Sequence, residues 1–399
     1  MIASSTLEAS AGVESSFDAL IEEAVVLGDR FAATASRIDQ EGAFPDDEFI
    51  DLWRGGLLCA PLADRWGGVA LGLNQGSATR RGTTHALLRV LEEVGRGNLA
   101  VGRLYEGHVN ALLLIQKFGR DEQVEAWADD VRDGKVFGVW NTQGTDGVRF
   151  GDPDRAGLVQ VDGVKTFASG AGHLARPIVT GCRTDGHWQM AVVAVDQLAV
   201  RVDTSWWRPL GMRASASHRV DFAGVRIARD LAWLGTTGDY YREPWFSGGA
   251  IRFAAVQLGG ARALLEATVD SLRQFGRCDD PYQKARVGLM AIAVESGRQW
   301  LRAAGDVADR VVDEHDRDAV GSAITHAQMT RTAIESICQD VLRLAEQSVG
   351  ARGLLHPHPI ERIGRDLTLY LRQPGPDAAL AQVGEAWLDG RSMTATATS

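Results

Sequence analysis

Cysteine is scarce in this chain. The four present, Cys59, Cys182, Cys278 and Cys338, are scattered with no Cys-x-x-Cys pair, which excludes a disulfide framework and a zinc site built on paired thiolates and fits a reducing cytoplasm. No metal site is expected. Basic runs are missing as well: the formal charge of −10 is spread along the sequence, so no segment can track a phosphate backbone or an anionic lipid surface, and nucleic acid is not expected as a partner. No apolar run reaches the ~18 residues of a membrane span, and the first residues lack a basic, apolar signal region, so neither membrane insertion nor export is expected.

No internal repeat or low-complexity linker interrupts the 399 residues. Hydrophobic content of 45% and charged content of 24% are those of a globular chain. The length exceeds what one core serves, so two or three domains sharing a buried interior are expected, with a cleft where they meet.

Hydrophobic periodicity divides the chain. Residues 1–16 are small and polar and are expected to fray. Over 17–135 the period is helical: Leu20, Ala24, Leu27 and Phe31 recur on one face, a short helix starts near Asp46 after Pro45, and Thr84 to Glu93, Leu99 to Lys117 and Asp121 to Asp133 follow. The loop Ala60 to Gly68, with Pro61, Trp66 and paired glycines, is turn chemistry over a ligand or another helix. Over 136–238 the period falls to about two, giving six or seven short strands closed as a small barrel or sandwich. Over 239–390 helical spacing returns, with Gly259-Gly260 offering a face where another helix can come close. Residues 391–399 are a polar tail. The fold class is a multidomain α+β chain: an N-terminal all-α domain, a central small β domain and a C-terminal helical bundle.

Within the β domain, Asp162-Gly163 is the signature of a two-residue hairpin. The arm after it places Lys165, Phe167 and Ser169 at alternating positions, hence on one face, before Gly170 and Gly172 turn the chain. An aromatic ring beside a hydroxyl suits a flat ligand with polar edges. The same pattern also describes an ordinary strand with Phe167 in the core.

From about residue 17 to residue 370 the chain resembles the acyl-CoA dehydrogenase family. Lys165-Thr-Phe167-Ala-Ser169-Gly-Ala171 is similar to the family's Lys-x-Trp-x-Ser/Thr-Asn-Gly, Trp140-Asn141-Thr142-Gln-Gly stands at its Thr-Glu-Pro loop, and Leu210-Gly-Met-Arg213-Ala-Ser215 matches its Leu-Gly-Met-Arg-x-Ser/Thr. Gln347-Ser-Val-Gly350-Ala-Arg-Gly353 resembles its glycine turn, and Pro359-Ile-Glu361-Arg362-Ile-Gly-Arg365-Asp366 its Pro-x-Glu-Arg-x-x-Arg-Asp. Phe275 and Gln283 keep the family's Phe-Gly to Gln spacing, with Leu272 where the family has an Arg.

The resemblance implies an FAD-dependent oxidoreductase acting on the CH–CH group of an acyl thioester or related small molecule. It implies a homo-oligomer, dimer or tetramer, whose subunits share the cofactor. Trp140, Asn141, Thr142, Phe167 and Ser169 would meet the flavin ring; Phe275, Gln283, Gln347, Gly350 and Gly353 its phosphates and adenosine; Arg213, Ser215 and Arg252 the substrate side. Glu361 to Asp366 reads as an ion-pair cluster.

Dehydrogenation also needs a carboxylate to take the α proton. The family's two places for it hold Pro374 and Ile251 here. The remaining candidates are Glu243, Asp239, Glu106 and His108, the last of which is equally a satisfied helical histidine. Two other readings stay open: a flavin monooxygenase of the same fold, which needs no such base, and a catalytically silent flavoprotein or assembly subunit.

Overall fold

The computed structural model describes residues 2–73, 82–311, 314–373 and 375–390, with side chains from residue 16 onward. Five helices come first: α1 (Ile2–Glu41), α2 (Asp46–Arg54), α3 (Thr83–Gly97), α4 (Leu99–Phe118) and α5 (Asp121–Arg132). The first begins well ahead of Phe17, because the stretch expected to fray contains Ala, Glu and Leu and no proline, and so continues the helix. The start of α4 is set by Asn98, whose side chain accepts from Ala100 N at 2.9 Å and Val101 N at 3.3 Å.

The strands are β1 (Phe137–Trp140), β2 (Arg149–Phe150), β3 (Leu158–Asp162), β4 (Val164–Ala168), β5 (Arg176–Arg183), β6 (Trp188–Val192), β7 (Arg201–Asp203), β8 (His218–Asp221), β9 (Val225–Ala228) and β10 (Trp233–Leu234), with a short α6 (Arg229–Ala232) before the last. They form a sheet in the order β10-β6-β5-β2-β3-β9, with β1 also on β5, and a second sheet β4-β8-β7. The turn at Asp185-Gly186 closes a hairpin between β5 and β6.

The turn at Asp162-Gly163 does not. β3 pairs with β2 and β9, whereas β4 pairs with β8 in the other sheet, so this turn is a corner where the chain changes sheets. Gly147 bridges to Val164, and a Cβ on Gly163, at φ +99°, would lie 2.3 Å from Gly147 O. The crossing segment thus occupies the space that a paired arm would need.

Among the described residues the helices that follow are α7 (Ala250–Gln274), α8 (Pro281–Asp309), α9 (Arg317–Val349), α10 (Pro359–Tyr370) and α11 (Pro376–Leu388). The sequence pattern marked 359–366 only as an ion-pair motif, yet Ile360, Ile363, Leu367 and Tyr370 are its buried face. α3 is buried nearly all round. Its Glu92 and Glu93 are therefore met by cations from the bundle, Arg298 at 2.8 Å and Arg262 at 2.5 Å, as buried charges require. One continuous apolar core runs from Phe17 through the sheets to Leu371.

All four cysteines are free thiols. Among the described residues no helix is long and apolar enough to cross a membrane, and no three His, Cys, Asp or Glu side chains gather to hold a metal ion.

Candidate active site

The exposed face of β4 carries an aromatic platform. Phe167 sits at φ +52° and is 44% exposed, because the β4–β8 register shifts between Lys165 and Ala168 and turns this one ring outward. Trp206 and Trp207 stand edge-on to it, with centroids 5.0 and 5.9 Å away. The bulge breaks the expected alternation: Lys165, Phe167 and Ser169 do not share a face.

Lys165 points inward and is fully buried. Its Nζ donates to Asn141 O at 2.8 Å, Gln143 Oε1 at 2.7 Å and Thr180 Oγ1 at 3.1 Å. Asn141 also accepts from Thr180 through Oδ1 at 2.7 Å, so this side chain is held by the interior. Trp140, also buried, donates its indole N–H to Ser169 O at 2.9 Å, while Thr142 is exposed and takes Thr166 N–H on its carbonyl at 3.2 Å.

Burial pushes the Lys165 ammonium down to about 7. The unfolded chain's lysine titrates near 10.4, so between those values the unfolded state holds a proton that the folded state has shed, and stability rises with pH across the window. Lys165→Met is expected to flatten that rise, narrowing the pH-dependent part of the stability by about 1–3 kcal/mol between about pH 6.5 and about pH 9.5. Parallel curves of Tm against pH for the two proteins would contradict this.

Ser169 begins a chain of hydroxyls. Its Oγ lies 2.9 Å from Ser217 Oγ, which lies 2.8 Å from Ser215 Oγ. Two bonds join three hydroxyls, so the outer Ser169 is left either a free proton or free lone pairs, and can serve an acceptor or a donor on a ligand's edge. Ser215 is 2% exposed and spends its hydroxyl inside this chain. It supports Ser169, a different position from the substrate side expected for it.

Arg213 is exposed, and its carbonyl accepts from Trp207 Nε1 at 3.3 Å. The segment before it is clamped to α10: Met212 N–H donates to Asp366 Oδ1 at 2.5 Å, and Arg365 donates to Leu210 O at 3.0 Å. Arg365 also pairs with Asp39 at 2.6 Å and with Glu361. Burial pushes the Asp366 carboxyl up to about 6 against the pull of Arg362, 3.6 Å away. Glu361 to Asp366 is a structural cluster that ties the β domain to the bundle.

Beside α4 and the start of α7 lies a cavity of about 890 Å³. Its wall includes Trp66 from the 60–68 loop, Leu113 and Lys117 from α4, Trp245, and Ile251 with Arg252 from the first turn of α7. Lys117 pairs with Glu314 at 2.7 Å, and Trp245 donates to the same carboxylate at 3.2 Å. The hydrogen bond from Lys117 chiefly holds that carboxyl below its usual range.

None of the described candidates for a base is free. Glu106 is 3% exposed, pairs with Arg103 at 2.7 Å and accepts from Asn110 Nδ2, whose Oδ1 in turn accepts from Arg252 Nε. Glu243 caps its own loop, accepting from Ser247 N at 2.9 Å and from the Ser247 hydroxyl. Asp239 does the same for Thr236. His108 is sealed: Nδ1 accepts from Phe137 N at 3.1 Å, Nε2 faces Leu58 O at 2.9 Å, and burial lowers the ring to about 4. It is a neutral structural residue. Pro374 lies outside the described residues.

The second cluster sits at the far ends of α7 and α9. A pocket of about 430 Å³ is lined by Phe275, Arg277, Ser348 and Arg352 among others, with the Arg352 guanidinium 5.2 Å from the Phe275 ring. Gln283 is buried beside it; with its amide oxygen toward Arg277 it accepts at 2.7 Å and donates to Ser348 Oγ at 3.2 Å. Gly350, at φ +71°, ends α9 with open space where a Cβ would lie, Gly353 is buried, and Gln347 is an exposed residue of the last turn. None of the platform residues lines this pocket.

The model for the acyl-CoA dehydrogenase N-terminal domain matches residues 24–135, and that for the acyl-CoA dehydrogenase C-terminal domain matches residues 251–371. The chain belongs to the acyl-CoA dehydrogenase family. Probable acyl-CoA dehydrogenase YngJ of Bacillus subtilis is 24% identical over 85% of this chain and 88% of its own. Dibenzothiophene monooxygenase of Mycolicibacterium goodii is 23% identical over 93% of this chain and 94% of its own. The FMN-bound structure of TdsC from Paenibacillus sp. A11-2 shares the fold with a TM-score of 0.83 at 21% identity, covering 94% of this chain and 99% of that one.

As a member of the acyl-CoA dehydrogenase family the chain departs from the expected motifs at two positions. Ile251 is a buried apolar wall residue at one of the family's two positions for a base, and buried Leu272 stands in place of its arginine. Sequence reasoning gave no role to Trp206, to Asn110 or to the Lys117–Glu314 pair. The adjacent tryptophans before the Leu-Gly-Met-Arg segment were a visible signal. The Lys117–Glu314 and Asn110–Arg252 pairings join residues far apart in sequence and had none.

Proposed function

We propose that this chain is a flavin-dependent oxidoreductase that takes a small molecule into the 890 Å³ cavity and works with reduced flavin and molecular oxygen, without abstracting a proton α to a carbonyl. The observation that carries this reading is Ile251, an apolar side chain on the cavity wall at a position for the base, together with the engagement of Glu106 and Glu243 elsewhere. A dehydrogenase would need a carboxylate free to accept a proton. An oxygenase does not.

The residues fit a flavin. Phe167 offers an exposed ring with Trp206 edge-on beside it, and Ser169 with Thr142 offers hydroxyls nearby. When bound, reduced flavin would supply two electrons to dioxygen, so that one oxygen atom enters the substrate and the other leaves as water with the two protons. The chain's own part is to stack the ring, to hold the substrate in the cavity and to keep proton-accepting carboxylates engaged elsewhere. TdsC binds FMN; for this chain Arg277 and Arg352 of the helix-end pocket support the longer FAD, reached from a second copy. Exposed Leu354, Leu355 and Trp387 suit such a homo-oligomer.

Anaerobic mixing of the flavin-loaded protein with acyl-CoAs of short to long chain is expected to leave the flavin oxidised. Once reduced, it is expected to return to the oxidised form with oxygen uptake when air is admitted. Rapid bleaching by any acyl-CoA would overturn the oxygenase reading in favour of dehydrogenation.

A further inference from the structure

Three cations line the cavity wall, and two have obvious company. Lys117 is neutralised by Glu314 at 2.7 Å. Arg65 lies over the Trp66 ring at 3.9 Å and reaches Asp121 at 3.2 Å at the exposed rim. Arg252 is different. Its Nε is spent on neutral Asn110, and no carboxylate among the described residues pairs with its guanidinium. Glu106 stands behind Asn110 with both oxygens taken, by Arg103 and by Asn110 itself.

Burial pulls the Arg252 guanidinium below its usual range, opposed by the more distant charge of Glu106. A guanidinium still carries its charge in such a place, and Arg252 is half-buried on the cavity wall with no protein counter-ion among the described residues, so a ligand that brings one is favoured there. Arg252 also lies in the first turn of α7, where the helix dipole favours negative charge. The rest of the wall sets apolar Trp66, Trp245, Leu113 and Ile251 beside polar Asp64, Thr84, Gln116, Glu314 and His315.

We propose that Arg252 is the anion-recognition residue of this cavity, held in aim by Asn110 and Glu106, and that the substrate is a compact apolar molecule carrying one anionic oxygen group of the carboxylate or sulfonate class. This rests on the reading of the cavity as the substrate site. It separates the chain from thioester substrates, whose reacting end offers only a neutral carbonyl.

The test is calorimetric titration of the purified protein with 2-naphthoate and with neutral 2-naphthamide. The carboxylate is expected to bind about tenfold or more tightly, a difference of about 1.4 kcal/mol. The preference is expected to vanish in Arg252→Gln and to survive in Arg252→Lys and in Arg65→Gln. Equal affinities in the wild type, no binding of either probe, or a preference kept in Arg252→Gln would each overturn the assignment. No flavin turnover enters the readout. Anion preference in a protein that acyl-CoA bleaches would sink the oxygenase reading and the exclusion of thioesters while leaving the anion contact of Arg252, and indifference to charge in a working oxygenase would sink the role of Arg252 alone.

Discussion

Gly259→Ala is expected to cost about 3–5 kcal/mol of stability, far more than one methyl group usually does. The added Cβ would lie 2.1 Å from Glu92 O and 2.6 Å from Arg96 N. Both are backbone atoms of α3, which cannot rotate aside as a side chain would, so α3 and α7 would have to separate. That crossing is the centre of the molecule, since α3 also carries the glutamates held by Arg262 and Arg298. The control is Gly288→Ala in α8, where the new Cβ would meet nothing within 4 Å. There the change is expected to stabilise by about 0.5–1 kcal/mol, because alanine is the better helix former. Thermal unfolding of the two variants reads the contrast, and equal Tm values would contradict the packing described.

Phe167→Gly is expected to separate binding from stability. An L-residue at φ +52° costs about 1–2 kcal/mol that glycine would not incur. Loss of the edge contacts to Trp206 and Trp207 costs a similar amount, about 0.5–1.5 kcal/mol each way. The variant's Tm is therefore expected to stay close to that of the wild type. Flavin affinity is expected to fall about tenfold to a hundredfold, the value of a lost aromatic stack of about 1–3 kcal/mol. Quenching of flavin fluorescence on titration measures it. Unchanged affinity would show that the ring is exposed for some other purpose.

The order of helices, sheets and helices was legible because it depends on local period, and the family was legible because its motifs are contiguous. The Gly259-Gly260 contact could be foreseen from residue size alone. The corner at Asp162-Gly163 could not: an Asp-Gly step fixes the turn, but which strands then pair depends on Gly147, brought across from elsewhere in the chain. The outward turn of Phe167 was hidden for the same reason, since a bulge belongs to the pairing with β8. His108 shows the limit most plainly. A helical histidine looks the same in sequence whether it faces a substrate or, as here, Phe137 N and Leu58 O. The link from Arg252 to Glu106 through Asn110 had half a signal, the i, i+4 spacing of Glu106 and Asn110 on α4, and no hint of the partner on α7.

A flavin resting against the Phe167 platform is the central expectation. Equilibrium titration of the purified, intact chain with FAD and with FMN, followed by flavin fluorescence, tests this most directly. The prediction is saturable binding, tighter for FAD, that weakens in Phe167→Gly. A chain that takes up neither flavin would contradict it.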